Sequence, residues 1–105
     1  MTHTDNLARY HHFVALGTSA RPEDIDFLMA VLAAQDDFAT SRLVDFALSL
    51  VDTREGKQRL RDYLFHGEPR QRNYAALYFK RKGYTDLLDE AVALGKIDRI
   101  QAYAR

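Results

Sequence analysis

Residues 67–83, GEPRQRNYAALYFKRKG, carry both punctuation marks of a single helix, and that constrains the rest of the chain. Pro69 suits the first helical position, where no backbone N–H is needed, and Gly83 suits the left-handed residue just past the end. Between them Tyr74, Leu77 and Tyr78 recur at i, i+3 and i+4, so one face is meant for burial. Elsewhere no run of four to eight residues alternates strictly, and no Asn-Gly or Asp-Gly hairpin turn occurs. The whole chain is therefore expected to be helical.

Taken in order, residues 1–4 read as a loose tail. Asp5 can cap a first helix over 5–16, with Leu7, Tyr10 and Val14 on its apolar face and Gly17 as its stop. Pro22 opens a second helix, where Glu23, Asp24 and Asp26 complement the helix dipole and Ile25, Leu28, Met29 and Leu32 form an unbroken stripe. After a turn over 35–38, a third helix runs to about Val51 with Leu43, Phe46, Ala47 and Leu50 inward. Asp52 and Glu55 have capping-box spacing for a fourth, which carries Leu60, Tyr63 and Leu64 inward and stops at Gly67. Past the fifth, Thr85 can cap a sixth helix that buries Leu88, Ala91 and Val92 and ends at Gly95. Asp98 can cap a short seventh, with Ile97 as a staple and Ile100 and Tyr103 available to pack.

At 105 residues the chain is expected to form one domain. It has no cysteine, which excludes a disulfide scaffold, thiol catalysis and cysteine-ligated zinc. No apolar run is long enough to span a bilayer and no leader pattern opens the chain, so no membrane partner and a cytoplasmic location are expected. The zero net charge hides a division. Residues 1–53 hold three Lys/Arg against eight Asp/Glu, whereas residues 54–82 hold nine against three. The chain is acidic first and basic in the middle.

Connections of a few residues imply antiparallel neighbours. An offset of about 31 residues aligns Leu43 with Tyr74, Phe46 with Leu77 and Ala47 with Tyr78, and a recurring helical pair of that length points to an α-solenoid. Over 60–83, Leu60, Leu64, Pro69, Arg72, Ala75, Ala76 and Gly83 together resemble a repeat of the HEAT family (the armadillo/HEAT class). Gln71 stands where that family usually has valine, and Tyr74 and Tyr78 are bulkier than its usual alanines. The resemblance implies a right-handed α-α superhelix, a stack of six or seven helices in antiparallel hairpins. It also implies a structural role for Arg72, a ridge or concave face for a partner, and no particular chemistry.

The basic middle is the leading functional candidate. Among its cations, Lys57, Arg61, Arg70, Lys80 and Lys82 are the residues expected to be exposed and to meet an acidic protein surface or another copy of the chain. The alternative assigns the same residues to nucleic-acid phosphates, with Tyr74, Tyr78 and Tyr84 as stacking rings. Lys80, Arg81 and Lys82 also suit the negative end of a helix dipole, a purely structural use. Adjacent His11 and His12 point apart on a helix, and no HExxH spacing occurs, so no metal is expected. Ser19, Ser41 and Ser49 lack a nucleophile elbow, Asp36–Asp37 and Asp89–Glu90 are only sequence neighbours, and there is no glycine-rich phosphate loop. The expectation is a noncatalytic protein-interaction module without cofactor or identified small-molecule substrate.

Overall fold

The computed structural model describes the backbone of residues 3–104 and the side chains of residues 6–104. It contains seven helices and no strand among the described residues. The helices are α1 (His3–Ser19), α2 (Pro22–Ala34), α3 (Phe38–Ser49), α4 (Arg54–His66), α5 (Pro69–Lys82), α6 (Thr85–Ala93) and α7 (Arg99–Tyr103). No helix is long and apolar enough to cross a membrane among the described residues. The chain forms two compact units, Met1–Arg59 and Leu60–Arg105, with the boundary inside α4.

In the first unit α1, α2 and α3 pack on one another. Pro22 opens α2 as expected, and Ile25, Leu28, Met29 and Leu32 are all fully buried. Helix α1 departs from expectation at both ends. It already includes His3 and Thr4, and Asp5 lies within it rather than capping it; the tail expected at Met1 and Thr2 lies outside the described residues. Gly17 does not stop α1, which continues to Ser19. Gly17 is buried because the backbone of α3 crosses it: a Cβ there would collide with the Ala47 carbonyl oxygen and lie 2.8 Å from the carbonyl carbon. The chain leaves α1 through Ala20, a fully buried residue at φ 50, in the left-handed region.

That crossing also sets which faces turn inward. On α1 the buried positions are Phe13 and Gly17, while Leu7 and Tyr10 are exposed and Val14 is half-buried. On α3 the buried apolar positions are Val44, Ala47 and Leu48, beside the buried Thr40 and Ser41, while Phe46 is exposed and Leu43 and Leu50 are half-buried. The expected stripes were thus each rotated about one position, because both helices carry apolar arcs wider than the contact. Tyr10 and Phe46, left outside, stack on each other with ring centroids 6.0 Å apart and 15° between planes.

Caps hold these helices in place. Asp37 caps α3 by accepting the Thr40 N–H at 2.8 Å, and Thr40 holds its carboxyl below the usual carboxylate range. Thr53, not Asp52, caps α4: its hydroxyl oxygen accepts the Gly56 N–H at 2.9 Å and its O–H donates to the Ala20 carbonyl at 2.9 Å. Asp52 instead pairs with Lys57. Asp24, with 5% of its side chain exposed, accepts from the Ser19 hydroxyl at 2.6 Å and from the Arg21 N–H and guanidinium at 3.2 Å each. Burial alone would raise its pKa, but those hydrogen bonds and the Arg21 charge outweigh it and leave the carboxyl below its ordinary value.

A depressed folded pKa means that the charged form is the one the fold favours. The stabilisation is complete above the unfolded value of about 3.9 and is lost as pH falls through the lower folded value. Asp24→Asn is accordingly expected to cost about 1–2 kcal/mol at pH 7. Its deficit relative to wild type should shrink as urea melts are taken from pH 5 down to pH 2. A deficit constant across that range would refute the assignment.

In the second unit α5 packs on α6 and α7, which also touch each other. Pro69 and Gly83 punctuate α5 as expected: Gly83 has φ 78, and the Tyr84 N–H reaches back to the Phe79 carbonyl at 3.0 Å. The inward face is Ala75, Ala76, Tyr78 and Phe79, whereas Tyr74 and Leu77 are half-buried. Thus Val44, Ala47 and Leu48 stand about 31 residues before Ala75, Tyr78 and Phe79, so buried positions recur at the offset seen in sequence through a partly different set of residues.

Thr85 is the first residue of α6 rather than its cap, and Tyr84 occupies the cap position. Gly95, at φ 71, ends the α6 turn, with the Lys96 N–H donating to the Ala91 carbonyl at 2.9 Å. Asp98 and Gln101 form a reciprocal capping box at 2.7 and 2.8 Å, and Ile97 is buried. Ile100 and Tyr103 do not pack inward; Ala102 is the buried residue of α7.

Candidate interaction surface

The five candidate cations are all held, by carboxylates, aromatic rings or a backbone carbonyl. The Lys57 ammonium is 3.5 Å from Asp52, one turn earlier in the chain. Arg61 lies 3.7 Å from Glu90 with its guanidinium 5.3 Å from the Phe65 ring centroid. Arg70 sits 5.9 Å over Tyr74, and Lys82 lies 5.6 Å over Tyr78. The Lys80 ammonium donates to the Ala104 carbonyl at 2.6 Å. Arg61 and Lys82 are exposed as expected, whereas Lys57, Arg70 and Lys80 are half-buried. Lys57 belongs to the first unit and the other four to the second.

A cation resting on a ring keeps its N–H groups while losing rotamer freedom. Such a group recognises an anion at a smaller entropic cost than a loose lysine does. Two other cations of this segment, Arg59 and Arg72, have structural tasks. Arg59 pairs with Asp26 at 3.3 Å. Arg72 donates from Nε to the Lys96 carbonyl and from Nη1 to the Gly67 carbonyl, each at 2.8 Å, joining two turns of the second unit.

Division by compact unit keeps the sign of the charge asymmetry but reduces its size. Residues 1–59 hold six Lys/Arg and nine Asp/Glu, and residues 60–105 hold nine and six, giving −3 and +3. No group of three potential metal ligands occurs among the described residues. Of the paired acids, Asp37 is a helix cap, Asp89 accepts from the Tyr103 hydroxyl and Glu90 faces Arg61. The bond to Asp89 holds the Tyr103 hydroxyl above its ordinary pKa.

Two features escaped the sequence reading. The second unit contains a cleft of about 670 Å³ between the end of α5, α6 and α7. Its apolar walls include Leu77, Leu88, Ala102 and Tyr103, with Lys80 and Arg81 also lining it. In the first unit Phe38 leaves 75% of its surface in solvent, with the Arg42 guanidinium 5.5 Å from its ring. The cleft depends on the placement of a five-residue helix and could not be read from periodicity. Phe38, directly after Asp36 and Asp37, was visible in sequence only as a turn residue.

Family models, curated proteins and solved structures provide no significant match to this chain. The HEAT-type resemblance therefore stands on the residues at 60–83 alone.

Proposed function

We propose that this chain is a noncatalytic protein-interaction module whose second unit docks on an acidic protein surface, with Arg61 and Lys82 as its anchoring cations. The observation that carries this reading is the +3 charge of residues 60–105 combined with cations resting on Phe65 and Tyr78. A HEAT-type repeat over 60–83 is part of the same proposal. Pro69 opens its second helix, Arg72 ties its turn and Gly83 closes it. A cytoplasmic setting accompanies the reading.

The test titrates a labelled 20-residue poly-glutamate peptide, and single-stranded and duplex oligonucleotides, at low and near-physiological salt. The acidic peptide is expected to bind, and Arg61→Glu with Lys82→Glu to weaken it at least about tenfold while leaving helical circular dichroism unchanged. Adding Arg70→Glu and Lys57→Glu should give a smaller further loss, because those side chains are half-buried. Failure to bind the peptide refutes the proposal. Tight oligonucleotide binding that weakens steeply with salt would assign the same cations to phosphates instead.

A further inference from the structure

The most solvent-exposed large apolar side chains of the first and second units are Phe38 and Ile100, and only Phe38 follows two consecutive acids. An aromatic ring kept in water is costly, of the order of 1.5–3 kcal/mol relative to burial. Helix α3 does not need Phe38 for its own packing, because its inward face is made by Val44, Ala47 and Leu48 and its cap by Asp37. The second unit supplies a complementary shape. The α5–α6–α7 cleft, at about 670 Å³, has room for a phenyl ring and flanking backbone, between the apolar surfaces of Leu77, Leu88 and Tyr103. Lys80 and Arg81 line that cleft and Asp36 and Asp37 precede the ring, so insertion would join opposite charges as well as apolar surfaces. The Lys80 ammonium donates one bond to the Ala104 carbonyl and carries two further N–H groups for a carboxylate.

We infer that the cleft of one copy receives Phe38 of a second copy, with Asp36 and Asp37 of the incoming chain set against Lys80 and Arg81. The net charges of −3 and +3 on the two units favour this pairing of unlike faces over a like-with-like contact. A knob and a hole at different places on one chain make a heterologous contact, which is satisfied reciprocally in a dimer or successively in a larger assembly. The inference rests on the reading of the second unit as a surface for acidic protein, and names its occupant.

Sedimentation velocity across a hundredfold range of concentration tests it, with Phe38→Ala and Arg81→Glu as variants. Phe38 is already in solvent and Arg81 is exposed, so both variants should keep the wild-type circular dichroism. Wild type is expected to self-associate with a midpoint that rises with salt, and each variant to shift that midpoint at least about tenfold upward. The two variants mixed should form a one-to-one complex, because the Arg81→Glu chain retains the knob and the Phe38→Ala chain retains the hole. Self-association untouched by either variant, or a mixture that behaves as two monomers, overturns the inference. A wild-type chain that is monomeric throughout but binds the poly-glutamate peptide overturns the second copy and leaves the acidic-surface reading standing. A monomer that also ignores the peptide removes both.

Discussion

Gly17→Ala is expected to destabilise the protein by about 2–3 kcal/mol, an overpacking cost against backbone that has little room to retreat. Helix propensity alone predicts the opposite sign, since alanine is favoured over glycine in a helix interior by about 1 kcal/mol. The reversal comes from α3, whose Ala47 carbonyl occupies the space a methyl group would enter. Urea unfolding followed by circular dichroism should show a lower midpoint with little change in slope. Ala15→Gly on the exposed face of the same helix supplies the comparison, and should lose only the propensity term. A Gly17→Ala variant as stable as wild type would refute a close backbone approach of α1 and α3 at this position.

Arg72→Ala should cost about 2–4 kcal/mol, for two charge-assisted hydrogen bonds to carbonyls in separate turns. Arg72→Lys is expected to recover less than half of it. A single ammonium on a flexible stem cannot reproduce the planar fork that reaches the Gly67 and Lys96 carbonyls together. Amide hydrogen exchange gives the local readout: protection around Lys96 and Ile97 should fall more than protection within α2. Full rescue by lysine would reduce the role of Arg72 to its charge. The distinction bears on function because Arg72 lies in the segment richest in cations, yet its N–H groups face the turns of its own unit.

How much of this was legible in sequence can be followed residue by residue. Pro69, Gly83, Gly95 and Asp98 act where their own backbone chemistry demands, so they were assigned without knowledge of any neighbour. The stripe of α2 was read correctly, since Ile25, Leu28, Met29 and Leu32 are all buried while Phe27 of the same helix stays exposed. Residue identity alone could not separate a cap from its neighbour at Asp52 and Thr53, where adjacent residues both carry capping oxygens. The candidate cations were legible as charges. Their ring, carbonyl and carboxylate partners were not, nor was the half-burial of Lys57, Arg70 and Lys80.

The sequence by itself determined that the chain would be helical, where most helices begin and end, and that acid and base would be segregated. Those properties follow from local sterics, period and charge. The tertiary structure alone decided which flank of each wide apolar arc turned inward. A helix with apolar residues over half its circumference can bury either flank, and the choice falls to the neighbour that approaches most closely. At Gly17 that neighbour is the backbone of Ala47, and its approach buries Val44 and Leu48 while leaving Tyr10 and Phe46 stacked in solvent.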